Sequence, residues 1–189
     1  MTTALSNDTE AQLADLMGQC YANPLLHVMV SYPWGEGQLD GRTGPDAWQA
    51  EFLREVGSEV GKRGFTGLDA VDPLQFSTAS GHGIGKSAIT AWLIRWIMDT
   101  RPFCKGVVTA NTSEQLRTKT GAELAKWHDM GISKHWYHIN SGGGSMNMYH
   151  RDHRNTWRVA FANLWHRDDG TVCLGCHIHW PVHALDGPI

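Results

Sequence analysis

The chain has 189 residues, a hydrophobic share of 41% and a formal net charge of -3. That length supports one domain with its own core, and the near-balanced charge gives no global pull toward nucleic acid or an anionic membrane. No apolar run approaches the roughly 18 residues of a membrane span, which argues against membrane partners. Met1–Asp8 has no basic region leading into an apolar core. A cytoplasmic chain is therefore expected, with its four cysteines reduced.

A first helix is predicted over residues 9 to 22, with Leu13, Leu16, Met17 and Tyr21 on one face and Asn7 or Asp8 as its cap. Asn23-Pro24 breaks it. Leu25–Val30 is apolar, and Tyr32-Pro33-Trp34-Gly35-Glu36-Gly37 reads as an irregular loop whose aromatic rings pack over a core edge or a ligand. A second helix starts after Gly44 with Pro45 at its first position, and Trp48, Phe52, Leu53 and Val56 form its apolar face. Gln49 lies beside that face. Next to an aromatic ring, its amide offers the donor and acceptor that read an adenine edge. It can equally be an ordinary surface glutamine.

Leu74–Ala79 suits a short strand. The stretch after it, Ser80-Gly81-His82-Gly83-Ile84-Gly85-Lys86-Ser87, ends like the G-x-x-x-x-G-K-[ST] phosphate loop, with Ser80 in place of the first glycine. Glycines at every second position let the backbone turn its N–H groups around an anion. The loop Gly81, His82, Gly83, Ile84, Gly85 would cradle phosphates, Lys86 would neutralise them, and the Ser87 hydroxyl would hold magnesium. Ile89, Trp92, Leu93, Trp96 and Ile97 follow at amphipathic spacing, in a helix that ends near Thr100 because Pro102 disfavours helical geometry before it. The helix start adds its partial positive charge to the loop. The alternative is a glycine turn between two core elements.

Gly106–Asn111 reads as a buried strand. Thr112 and Gln115 have capping-box spacing, and Leu116, Thr120, Leu124 and Trp127 recur at helical intervals. Strand and helix alternate as in an α/β domain with a parallel sheet flanked by helices. Ligands of such sheets sit beyond the C-terminal strand ends, which would set Thr109, Asn111 and Thr112 near Lys86. Beyond Gly131 the pattern weakens, and Ser141–Ser145 is a glycine-rich turn. Arg117, Lys119, Lys126, Lys134, Arg151, Arg154 and Arg158 outnumber the acids among them, with Trp136, Tyr137, Tyr149 and Trp157 interspersed. This is either a nucleic-acid surface or a mixed solvated one.

The run from Trp48-Gln49 through the glycine loop to Thr109-Ala110-Asn111-Thr112-Ser113-Glu114-Gln115-Leu116 resembles the N-terminal ATPase part of a bacteriophage or prophage terminase large subunit. The resemblance covers about residues 30 to 158. It implies a partial P-loop NTPase over residues 1–158 that uses ATP and Mg2+. It also implies partnership with double-stranded DNA and other packaging proteins, and a prophage-encoded chain in the cytoplasm of a bacterial host. Lys86 would be the catalytic lysine and Gln49 the adenine contact. That family further carries an Asp-Glu pair ending a strand, and a nuclease with metal-binding carboxylates. After Ser87 the acids are Asp99, Glu114, Glu123, Asp129, Asp152, Asp168, Asp169 and Asp186, and none ends an apolar run with Glu behind it. A truncated segment that binds ATP without competent turnover is expected.

Residues 159–189 form an irregular tail of different character. Cys173, Cys176, His179 and His183 suit tetrahedral zinc, and Cys173–His177 also matches C-x-x-C-H haem attachment. A shifted reading frame, with the gene interrupted near residues 158 to 165, would make the cluster accidental, and no structural zinc is expected. The alternative function is a non-catalytic remnant or a small metal-binding protein. A small kinase is a third reading, although no Arg-rich lid is visible.

Overall fold

The computed structural model describes residues 6–64, 72–78, 83–110, 112–140, 146–163 and 178–179. Helix α1 (Asn7–Gln19) starts two residues earlier than expected, because Ser6 and not Asn7 or Asp8 is its cap, its hydroxyl accepting from the Thr9 N–H at 3.2 Å. Helix α2 (Pro24–Ser31) occupies the apolar stretch in which no helix is expected. Asn23 caps it through Oδ1 to the Leu26 N–H, and Pro24 sits in the first turn, where its missing N–H costs nothing. Trp34 folds back onto α2, donating from Nε1 to the Val28 carbonyl. Its ring and that of Tyr32 lie against Trp127, with centroids 5.9 and 4.8 Å away, so these loop aromatics belong to the core. Helix α3 (Ala47–Lys62) buries Leu53, Val56 and Val60, and Gln49 with them.

Residues 72–78 form no strand, contrary to the expected strand over Leu74–Ala79. Phe76 instead makes an edge contact with Phe52 of α3, and Arg63 donates to the Asp72 carbonyl at 2.9 Å. The segment is fixed to a helix and not to a sheet.

Helix α4 (Lys86–Thr100) ends where the sequence predicts. It is buried on nearly every side, Arg95, Asp99 and Thr100 included, and Leu93 and Ile97 are its half-buried apolar members. Trp96 ties it to α1 by donating to the Cys20 carbonyl at 2.8 Å, and the Tyr137 hydroxyl donates to the Met98 carbonyl at 2.7 Å.

Strand β1 (Lys105–Ala110) leads into α5 (Ser113–Gln115), a π-helical stretch over Leu116–Gly121, and α6 (Ala122–Met130). Thr112 caps this run by accepting from the Gln115 N–H at 3.1 Å. Three strands follow, β2 (Tyr137–Asn140), β3 (Asn147–His150) and β4 (Arg158–Asn163), and then the two-residue β5 (Ile178–His179). The sheet order is β2-β3-β4-β1-β5. The chain is thus an α/β fold, but the sheet is mixed and not parallel. β1 and β4 pair in parallel, while β2/β3, β3/β4 and β5/β1 are antiparallel. β2, β3 and β4 form a meander, which needs only short connections. β4 crosses residue 158, and Val159 and Phe161 lie in the core.

The register separates two faces. Val108, Val159, Phe161, Met148 and Tyr137 share the face that packs with Trp92, Met98 and Leu124 in one cluster. Lys105, Val107, Thr109, Arg158, Ala160, Ala162, Asn147, Tyr149, His138 and Asn140 share the other, where none of the ten is buried. β1 is therefore half-buried, in place of the fully buried strand expected from its apolar run.

Candidate phosphate loop and buried polar network

The glycine loop reaches α4 through two left-handed residues, Gly83 at φ 83° and Gly85 at φ 86°. A side chain is strained in that region, so glycine is the residue that lets the chain turn into the helix there. Ser80, Gly81 and His82 lie outside the described residues. Gly83 and Ile84 are exposed, Lys86 is half-buried, and Ser87 is exposed. Lys86 and Ser87 are the first two residues of α4, and its N-cap residue, Gly85, has no side chain to cap that end. Its first-turn N–H groups carry the helix's partial positive charge.

Gln49 holds this junction. Its Nε2 donates to the Gly85 carbonyl at 3.2 Å, while its Oε1 accepts from the Asp46 N–H at 2.9 Å. The same Gly85 carbonyl accepts from the N–H groups of Ala88 and Ile89. A Cβ on Gly85 would stand 2.5 Å from Gln49 Nε2. The amide that could read a base edge is thus 4% exposed and engaged at both ends, joining the start of α3 to the start of α4.

Sequence reading missed a second polar group. Asp99, buried in α4, accepts from His27 Nε2 at 2.8 Å and from the Ser133 hydroxyl at 3.0 Å, and its Oδ1 lies 3.2 Å from Arg95 Nη2. Arg95 Nη2 also donates to the Ser133 hydroxyl, and its Nη1 lies 3.2 Å from His128 Nδ1. Burial pushes the Asp99 carboxyl up, but Arg95, His27 and Ser133 together outweigh it and hold the group below its ordinary range. Burial and then Arg95 push His128 down, to about 4. An Arg and an Asp four residues apart on α4 were the only local signal. The partners come from α2, α6 and the turn at Ser133.

Cys20 and Cys104 are buried free thiols, raised by burial to about 11 and about 12, which keeps them protonated and unreactive. Thr109 stands at the C-terminal end of β1 and Thr112 just beyond it, while Asn111 lies outside the described residues. Cys173, Cys176 and His183 also lie outside them. For His179 only the backbone is described, as part of β5. Among the described residues no group of three His, Cys, Asp or Glu could hold a metal ion, and no helix is long and apolar enough to cross a membrane. Comparison of the chain with protein families, curated proteins and solved structures found no match.

Proposed function

We propose that the chain binds ATP with magnesium through the loop Gly81–Ser87, as a segment like the ATPase part of a terminase large subunit, in a partial P-loop fold. The observation that carries this reading is the junction at Gly85. A left-handed glycine, its carbonyl held by Gln49, delivers Lys86 and Ser87 to the start of the most buried helix, whose N-cap is that glycine. Loop N–H groups and the helix start suit an anion, and Lys86 adds a point charge where phosphates would lie. The Ser87 hydroxyl is a hard oxygen donor of the kind magnesium takes, and it is accessible. Bound magnesium would supply charge neutralisation between phosphate oxygens. The protein's own part is to fix the loop and orient the phosphate chain. The Gln49 amide, engaged by the Asp46 N–H and the Gly85 carbonyl, contributes to loop geometry.

Titration calorimetry with ATP and magnesium tests this reading. Lys86→Ala should weaken binding by about tenfold or more, as expected for loss of a charge-assisted contact. If Lys86→Ala, with an unchanged melting temperature, binds ATP as tightly as the parent, the loop is not the nucleotide site.

A further inference from the structure

A cleft of about 440 Å3 opens between the π-helical stretch, α6 and β2, with no described residue of the glycine loop among its lining. Its walls include Arg117, His128, Asp129, Ile139, Met146 and Arg151. Its hydrogen-bonding character is set by one contact deeper in. Arg95 can only donate, so His128 Nδ1, 3.2 Å from its Nη1, must accept. The proton of the neutral ring then sits on Nε2. That nitrogen has no partner among the described residues and is not among the sealed polar atoms, although the residue as a whole is 8% exposed. His128 therefore presents an N–H donor to the cleft.

Two of the other polar walls, Arg117 and Arg151, are cationic, and Asp129 is the acidic one. Arg151 uses its Nε on the Tyr137 carbonyl at 3.2 Å, which fixes the guanidinium beside the cleft and leaves its terminal nitrogens available. Arg117 has no ion-pair partner among the described residues. Burial first, and then Arg95, Arg151 and Lys134, disfavour a proton charge on His128, against Asp99, so the ring at the cleft wall is neutral. Asp129 is exposed to solvent, which screens its charge. Ala122, Ala125, Ile139 and Met146 supply the apolar part of the wall, beside Tyr137 and His138. Met146 packs so closely on Gly121 that a Cβ there would collide with its sulfur, which closes the wall against the π-helical stretch. Such stretches recur where a helix is locally reshaped around a site.

We propose that this cleft binds a small organic anion, a carboxylate or phosphate group on an apolar body. His128 Nε2–H, Arg117 and Arg151 hold the acid group, and Ile139 and Met146 contact the body. A carboxylate and a phosphate ester share this chemistry, so both are used as probes.

The imidazole resonances of His128, followed by NMR on the full chain, test the proposal. Benzoate or phenyl phosphate should shift them saturably at or below about 10 mM. The stronger of the two identifies the acid group. Arg117→Gln and Arg151→Gln should each weaken the response by about tenfold. Arg117 is exposed, so its variant remains a fair test if the Arg151 variant fails to fold. Lys86→Ala should leave the response intact, and its loss there would trace the effect to the glycine loop and overturn the proposal. No saturable shift, equal binding in Arg117→Gln, or equal binding of benzylammonium would also overturn it. Inorganic phosphate binding as tightly as phenyl phosphate would remove the apolar body from it.

Discussion

Acid reaches the buried network through two groups, and in a defined order. In the unfolded chain His128 takes up a proton near its ordinary value of 6.5, but in the folded protein only near 4. Between those values the unfolded state binds more protons, so stability is lost as pH falls from 6.5 to about 4. The full shift would be worth about 3 kcal/mol, and solvent in the cleft screens it to about 2 kcal/mol. Asp99 behaves differently. Its folded value lies below its unfolded one, so its contribution is complete above about pH 4 and is lost only on further acidification. Denaturant melts across this range should show the first loss in the parent and not in His128→Gln, whose amide oxygen can still accept from Arg95. An unchanged slope in that variant would assign the acid sensitivity to other groups.

The junction of α3 and α4 can be tested with one pair of substitutions. Gly85→Ala forces a side chain into the left-handed region and toward Gln49 Nε2. It should cost about 2 kcal/mol, roughly half of it from backbone strain. Adding Gln49→Ala should recover the collision share and leave the strain, so the two changes should be non-additive by about 1 kcal/mol in urea melts. Strict additivity would mean that the Gln49 contact does not hold the loop. The local half of this junction is legible in the sequence, because glycine spacing, Lys86-Ser87 and an apolar period mark a loop entering a helix. The Gln49 clamp spans 36 residues and leaves no periodic trace. Asn23-Pro24 reads as a break, yet the same pair is a start signal, and α2 is missed because Leu25–Val30 offers no polar face. Residues 74–78 look strand-like, but pairing is decided by neighbours, and here Phe52 contacts Phe76 while Arg63 holds the carbonyls of Asp72 and Pro73 just before them. The meander hides for a related reason: Tyr137–Asn140 and Asn147–His150 mix good strand formers with Asn and His, so only the glycines between them stand out.

At the scale of the molecule, the parallel pair β1/β4 decides what chemistry a nucleotide would meet. Ligands of parallel strands lie beyond their C-terminal ends, and those ends carry Thr109-Ala110 and Ala162-Asn163. Neither holds a carboxylate to position a water. If the chain binds ATP as proposed, phosphate release with magnesium and double-stranded DNA should run orders of magnitude below the roughly 1 to 100 per second of efficient phosphoryl-transfer enzymes. Turnover near one per second that disappears in Lys86→Ala would refute this. Loss of that turnover in Asp168→Asn, Asp169→Asn or Asp186→Asn would then identify the carboxylate responsible.

The face of the sheet opposite the core has a colloidal consequence. Lys105 and Arg158 stand opposite each other in register, and none of the ten residues of that face is acidic. Like charges so placed weaken the strand pair slightly, but they also keep two such faces apart. The repulsion is screened by salt, whereas the Val107, Ala160 and Ala162 surface between the strands is not. Added salt should therefore drive self-association, with light scattering rising between low and about 1 M sodium chloride, where the screening length falls to about 3 Å. Lys105→Ala should move that onset to lower salt. An onset unmoved by the substitution would mean that another surface governs solubility, and that these two cations are not what keeps the protein dispersed.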